Sequence, residues 1–133
     1  MNNMLTIIIP VFNEINTIEQ IINQTNDISF IKKEIILVDD GSTDGTRSLI
    51  KNSLFKKVSK VIYHDKNHGK GAAIKSAQEF INGDFVVIQD ADLEYNPKDY
   101  KNLLKPILEK KCGVVYGSRV LGRNRYKNKD FIS

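Results

Sequence analysis

Asp90, Asp92 and Glu94 stand at alternate positions one residue beyond four consecutive apolar residues, Phe85 to Ile88. An extended backbone turns alternate side chains the same way, so all three acids would project to one side. Carboxylates this close repel one another unless a cation sits between them, and an oxygen-only set suits Mg²⁺ or Mn²⁺. An ion held by one or two protein carboxylates usually completes its shell with phosphate oxygens and water. The competing reading is a polar turn carrying a solvated acid cluster. Two other stretches bear on the choice. Glu34 to Val38 runs into Asp39-Asp40-Gly41-Ser42-Thr43-Asp44-Gly45-Thr46. Ser42, Thr43 and Asp44 are what any tight strand-to-helix turn would use, an explanation that covers Asp39 and Asp40 less well. Gly69 and Gly71 bracket Lys70 ahead of a small-residue run, so main-chain N–H groups and one ammonium could face an anion. The spacing of a Walker loop is absent. His64 and His68 straddle a loop with no third ligand in view, which disfavours a zinc site.

The elements that must position these groups alternate. Leu5 to Ile9 reads as a first strand closed by Pro10, which should end ladder pairing. Ile15, Ile18, Ile21 and Ile22 recur at helical spacing, with Asn16 or Thr17 able to cap the start. A second strand, Glu34 to Val38, leads through the Gly turn to a helix with Leu49, Ile50 and Leu54 inward. A third, Val61 to His64, precedes a helix carrying Ala72, Ala73, Ile74, Ala77, Phe80 and Ile81. Phe85 to Ile88, launched from Gly83-Asp84, reads as a fourth strand buried on both faces, the kind a parallel sheet makes. Pro97 suits a helix's first turn, and Tyr100, Leu103, Leu104, Ile107 and Leu108 form a core-facing stripe. Val114 to Gly117 is a fifth strand delivering Ser118 and Arg119 to its carboxyl end. Strand–helix alternation implies an α/β architecture with a mostly parallel sheet. The residues with no structural reason to be there, Asn13, Glu14, Asp39, Asp40, Lys70, Asp90, Asp92 and Arg119, all follow strands. A parallel sheet would gather them along one edge.

The chain has 133 residues, enough for one domain spanning 1–133 and too few for two. Hydrophobic residues at 41% and charged residues at 27% are ordinary for a globular domain. The net charge of +4 is uneven, with Arg119, Arg123, Arg125, Lys127 and Lys129 crowded near the end. Such a run could meet phosphates or an anionic membrane face, although a solvated terminus would look the same. Nothing indicates nucleic acid: zinc-finger spacing and aromatic-interleaved basic stripes are missing. Cys112 is the single cysteine, so there is no disulfide framework and a reducing, cytoplasmic setting fits. The apolar start is broken by Pro10 and lacks a basic leader, so it reads as neither signal peptide nor spanning helix.

Five stretches, in order, resemble the family 2 glycosyltransferases of GT-A fold: Ile8 to Glu14, Val38 to Thr46, Gly69 to Ala73, Gln89 to Tyr95, and Tyr116 to Arg119. The likeness is strongest to the branch similar to dolichol-phosphate mannosyltransferase and bacterial polyprenyl-phosphate glycosyltransferases. It implies a Rossmann-like GT-A sheet flanked by helices, and an inverting transfer from a UDP- or GDP-sugar with Mg²⁺ or Mn²⁺. The acceptor would be a polyprenyl or dolichyl phosphate or another glycan acceptor, with peripheral association at the cytoplasmic face of a membrane. By position, Pro10, Val11, Asn13 and Glu14 would line the nucleoside pocket, and Asp39 and Asp40 would meet base and ribose. Asp90 and Asp92 would hold the metal at the diphosphate, with Ala91 between them against the donor and Glu94 a further ligand. Lys70 and Arg119 would lie near phosphate, Arg119 serving catalysis together with the two aspartates. The family's domain continues past Gly-Ser-Arg, so the chain reads as truncated, its N-terminal, nucleotide-sugar-binding part. The alternatives are a nucleotide-sugar-binding piece without turnover, or a metal-dependent nucleotidyl or phosphoryl transferase. A haloacid-dehalogenase-type phosphatase would require a downstream acidic pair, and a nucleotidyltransferase a glycine-rich basic loop after the first strand. Neither is present.

Overall fold

The computed structural model describes residues 3–92, 96–97, 100–102, 105, 114–115 and 119–121, the last five as backbone. Its strands are β1 Met4–Val11, β2 Lys32–Asp39, β3 Lys60–Tyr63, β4 Phe85–Ile88, β5 Val114–Val115 and β6 Arg119–Leu121. The helices between them are α1 Ile18–Asn26, α2 Thr46–Asn52 followed by a short 3-10 turn Leu54–Lys57, and α3 Lys70–Gln78. Residues 100–102 and 105 are also helical, while most of the expected Leu103 to Leu108 stripe lies outside the described residues.

Among the described residues the strands form one sheet in the order β3-β2-β1-β4-β6-β5. β1 pairs in parallel with β2 on one side and β4 on the other, and β2 pairs in parallel with β3. β6 is antiparallel to both β4 and β5. This sixth strand was not expected. A three-residue Arg-Val-Leu segment is too short to display a period, and only pairing with Val86 to Ile88 makes it a strand.

Pro10 does not end β1. It lies opposite Val38, and the strand continues to Val11, whose carbonyl accepts from Asp40 N at 2.9 Å. Alternation explains the tolerance. Val11 bonds toward β2 and Ile8 toward β4, where Gln89 N meets its carbonyl at 2.9 Å. Pro10 therefore turns its missing N–H to the β4 side, past the last β1–β4 pair, Ile8 with Ile88, where no ladder bond is lost.

The same alternation sorts the core. Leu5, Ile7, Ile9, Ile35, Leu37, Phe85 and Val87 face α1 and α2, meeting Ile18, Ile21, Ile22, Ile50 and Leu54. Ile8, Ile36, Val38, Val86 and Ile88 face the other way, onto Ala73, Ile74 and Ala77 of α3. Burial on both faces is why β1 and β4 are continuous apolar runs.

At the sheet's amino edge Thr6 replaces an apolar residue. Its hydroxyl donates to Glu34 Oε2 at 2.6 Å and accepts from Gly83 N at 2.9 Å. Gly83 lies so close to β1 that an added Cβ would stand 2.4 Å from Thr6 Oγ1, 2.7 Å from Thr6 N and 2.9 Å from Met4 O. Two of those atoms are backbone of the central strand and cannot step aside. Gly83→Ala is therefore expected to destabilise by about 1–3 kcal/mol, the usual range for overpacking. Urea unfolding should show a lower midpoint at unchanged slope.

Candidate functional site

β1 to β4 run in parallel, so their carboxyl ends share one edge of the sheet. The chain builds outward from β1 through β2 to β3, then crosses back to place β4 on the other side of β1. Such a reversal opens a crevice between the loops after the two central strands. A cleft of ≈ 190 Å³ lies there, floored by Pro10, Val11 and Ala73, with Glu14, Asp40, Asn67, Lys70, Asp90 and Asp92 around it. These residues come from the loops after β1, β2, β3 and β4 and from the start of α3.

The Asp-Ala-Asp turn is anchored from both sides. Gln89 is fully buried, its amide donates to Asp90 O at 3.0 Å, and it accepts from the Tyr100 hydroxyl at 2.5 Å. On the α1 side the Thr17 hydroxyl donates to the Ala91 carbonyl, with Glu14 Oε2 3.2 Å away. Thr17 does occupy the position before α1, but its side chain makes no cap bond to the helix. It ties the loop after β1 to the loop after β4 instead. Asp90 is half-buried and Asp92 exposed, and Lys70 Nζ lies 2.5 Å from Asp90 Oδ1.

Asp39 and Asp40 part company. As successive residues leaving β2 they point to opposite faces. Asp39, with no exposed surface, turns toward α2, accepting from Arg47 Nε at 2.6 Å and Ser42 N at 3.1 Å. It does not line the cleft, so the expected contact with base or ribose has no support in its placement. Asp40 turns toward α3 and does line it. Its oxygens accept from His64 Nδ1 at 2.8 Å, His68 N at 2.9 Å and Gly69 N at 2.8 Å. Burial raises the Asp40 pKa, but the bonds from the His64 ring and the two amides outweigh it and hold the carboxyl below 3.8. Gly41, which follows Asp40, has φ +82°, and a Cβ there would meet the backbone of Lys66 and Asn67 at 2.4–2.5 Å. Only glycine lets the two loops pack.

Asn13 also stays off the cleft. With φ 54°, which asparagine tolerates better than most residues, it accepts from Thr43 N at 2.7 Å and donates its own N–H to Ser42 Oγ at 3.0 Å. It fastens the loop after β1 to the loop after β2. Arg119 opens β6 opposite Ile88, so its backbone stands at the carboxyl end of β4. Glu94 lies outside the described residues.

Sequence reasoning missed Arg47 and gave His64 the wrong question. A cation in a helix's first turn opposes the dipole, and that was the available sign that Arg47 is held by something else. It donates to both Asp39 and the His64 carbonyl. Both His64 nitrogens are engaged, Nδ1 by Asp40 and Nε2 by Ser76 Oγ at 2.7 Å. Asp40, His64 and Ser76 follow the order of a hydrolytic triad. Ser76 lies within α3, however, where the surrounding amides bond along the helix and supply no oxyanion donors. The cluster is a packing brace.

Among the described residues no three His, Cys, Asp or Glu side chains gather as a metal site. Asp90 and Asp92 supply two carboxylates at a cleft mouth with room for other ligands, a donor set that fits Mg²⁺ or Mn²⁺ completed by phosphate and water. Asp40 fits less well, since three hydrogen bonds already engage its two oxygens.

Replacing Asp40 tests this division. Asp40→Asn should cost about 1–3 kcal/mol, because three part-buried donors lose a charged acceptor. A folded pKa below 3.8 means the carboxylate's stabilisation is complete above that pH and is lost as pH falls through the lower folded value. The gap in unfolding free energy between parent and variant should accordingly be flat above about pH 5 and narrow below pH 3.8 in a urea series.

Comparison with known proteins gives the same frame. Residues 6–130 match the family described as Glycosyl transferase family 2. An undecaprenyl-phosphate 4-deoxy-4-formamido-L-arabinose transferase of Aeromonas hydrophila is 30% identical, aligned over 98% of this chain and 40% of its own length. A UDP-N-acetylglucosamine–dolichyl-phosphate N-acetylglucosaminyltransferase of Methanococcus voltae is 31% identical, covering 96% of this chain and 56% of its own. The chain thus spans about half the length of the curated relatives it matches. Among solved structures, glucosyl-3-phosphoglycerate synthase from Mycobacterium tuberculosis, in complex with Mn²⁺, UDP and glucosyl-3-phosphoglycerate, superposes with a TM-score of 0.65. It is 26% identical over 80% of this chain and 40% of that one. With the family's match running nearly end to end over a switch-point cleft of acids and a lysine, the chain belongs to glycosyl transferase family 2.

Proposed function

We propose that this chain is the donor-binding part of an inverting glycosyltransferase that uses Mg²⁺ or Mn²⁺ to take a sugar from a UDP- or GDP-sugar and pass it to a polyprenyl-phosphate acceptor. The observation that carries the reading is the meeting of Asp90 and Asp92 with Lys70 and the start of α3 on one cleft. Carboxylates for a cation and an ammonium for phosphate are what a nucleoside diphosphate bound with a divalent ion requires. Family membership supports the reaction, the solved relative holding Mn²⁺ and UDP supports the ligands, and the names of the two relatives support the acceptor class.

In such a transfer an acceptor oxygen attacks the sugar's C1 from the face opposite the nucleotide. The bond from C1 to the β-phosphate oxygen breaks, the new C1–O bond forms with inverted configuration, and the nucleoside diphosphate leaves with the electron pair. Negative charge grows on the departing diphosphate, and fixed cations there lower the barrier. Lys70 would face that charge, with Arg119 a second cation from the start of β6. Glu14, the floor at Pro10 and Val11, and the Asp40 wall would bound the nucleoside, and Ala91 would hold the two metal aspartates in register. The divalent ion would supply Lewis-acid stabilisation from Asp90 and Asp92, with Glu94 as a further ligand. A phosphate acceptor is already ionised near neutral pH, so no side chain here has to remove a proton.

No helix among the described residues is long and apolar enough to cross a membrane. A lipid-linked acceptor would bring the protein to a membrane surface, where the basic run from Arg119 to Lys129 could face anionic headgroups on the cytoplasmic side.

Calorimetric titration with UDP-glucose, UDP-N-acetylglucosamine and GDP-mannose, with and without Mn²⁺, tests the reading. One donor should bind in a Mn²⁺-dependent way. Asp92→Asn should weaken that binding about tenfold or more, the effect of losing a charged ligand worth at least 1.4 kcal/mol, with the melting temperature unchanged because Asp92 is exposed. Unchanged Mn²⁺ dependence in that variant would remove the metal assignment, and no binding of any donor would remove the function.

A further inference from the structure

Lys70 and Asp90 hold each other across the cleft, Nζ to Oδ1 2.5 Å, with side chains 41% and 42% exposed. The donor-binding reading gives them different partners, a diphosphate for the lysine and a divalent ion for the aspartate. An ammonium on Asp90 Oδ1 and a divalent cation on the same oxygen exclude one another by charge and by space. Building on that reading, we propose that Lys70 is the resident counter-cation of Asp90, displaced when the divalent ion arrives, and that its displacement frees the ammonium for the donor's diphosphate.

The local architecture allows the exchange. Lys70 is the first residue of α3, preceded by Gly69 at φ 98° and followed by Gly71. Its backbone is fixed by the helix, while its four-carbon stem and three rotatable donors let the charge swing without moving the main chain. Asp90 needs a cation in either state, because Asp92 is two residues away and like charges this close repel. Of the other acids around the cleft, two offer Lys70 little alternative, and the third, Asp92, would share the divalent ion with Asp90. Asp40 is taken by His64 and two amides, and Glu14 has Thr17 beside it. In the absence of donor, a metal ion must expel the ammonium into water. With donor bound, the ammonium has a diphosphate to move to. Metal and nucleotide therefore bind with positive coupling, and linkage requires that each tighten the other equally.

The test uses the chain itself, with Mn²⁺ binding alone read by electron paramagnetic resonance of the free ion and UDP binding in saturating Mn²⁺ read by calorimetry. Lys70→Met keeps length and removes charge. It should tighten Mn²⁺ alone by about two- to fivefold, the worth of an exposed ion pair, and weaken UDP with Mn²⁺ present. Opposite signs are the signature, since general damage to the cleft weakens both. Lys70→Gln, shorter and polar, should show the same pair of signs, and circular dichroism melting should place both variants with the parent. Asp90→Asn should remove the Mn²⁺ site. If it does and Lys70→Met leaves Mn²⁺ affinity unchanged or lower, the counter-cation role is wrong and the donor-binding reading stands. If Asp90→Asn leaves Mn²⁺ binding intact, the metal assignment fails and takes this proposal with it.

Discussion

Parallel pairing of β1 with a neighbour on each side is the constraint from which the site follows. Met4 to Val11 runs in register with Lys32 to Asp39, and Leu5 to Ile8 with Phe85 to Ile88. Three parallel strands must end at the same edge, so the loops after β1, β2 and β4 emerge side by side although up to about eighty residues separate them in sequence. The close approach of Gly83 to Thr6 sets where β4 begins beside β1, and therefore where it ends and Gln89 to Asp92 takes over.

The pleat then decides which of those loop residues meet. Side chains at even positions of β1, β2 and β4 face α3, and those at odd positions face α1 and α2. The parity persists one or two residues past the strand ends. Pro10, Asp40 and Asp90 fall on the α3 side, where Lys70 begins the helix, and they share the cleft. Asp39 falls on the other, where Arg47 receives it, and the Ala91 side chain packs with the core of that side. One residue of slip in any strand would exchange the two sets.

Three of the carboxylates are held in three ways, graded by exposure. Asp39 has a guanidinium and an amide and no contact with solvent; Asp40 has an imidazole and two amides and a side chain 5% exposed; Asp90 has one ammonium and a side chain 42% exposed. Removing a partner from a buried charge is costly, which confines the first two to holding the loops together. The half-exposed pair can exchange partners cheaply because water covers the transition. Two buried acids that hold loops and one accessible acid at the cleft thus look alike in the sequence.

The alternation of β-branched runs with amphipathic spacing determined the α/β class, the first four strands and their parallel direction, because buried two-faced strands must be uniformly apolar. It also determined that acids and a Gly-flanked lysine follow those strands, and hence that they share an edge. It could not determine the face each acid takes, since Asp39 and Asp40 differ by one residue and only the register of β2 against β1 and β3 fixes which turns inward to Arg47. Nor could it show that Pro10 is harmless within β1, which depends on β4 pairing ceasing at Ile8, or that Arg119 to Leu121 is a strand, which depends on a partner thirty residues earlier. Thr17 reads locally as a cap, yet its hydroxyl goes to Ala91, seventy-four residues away. Local spacing specifies what each segment can become, whereas long-range hydrogen bonding and side-chain parity decide which polar groups are consumed by the fold and which are left to meet a ligand.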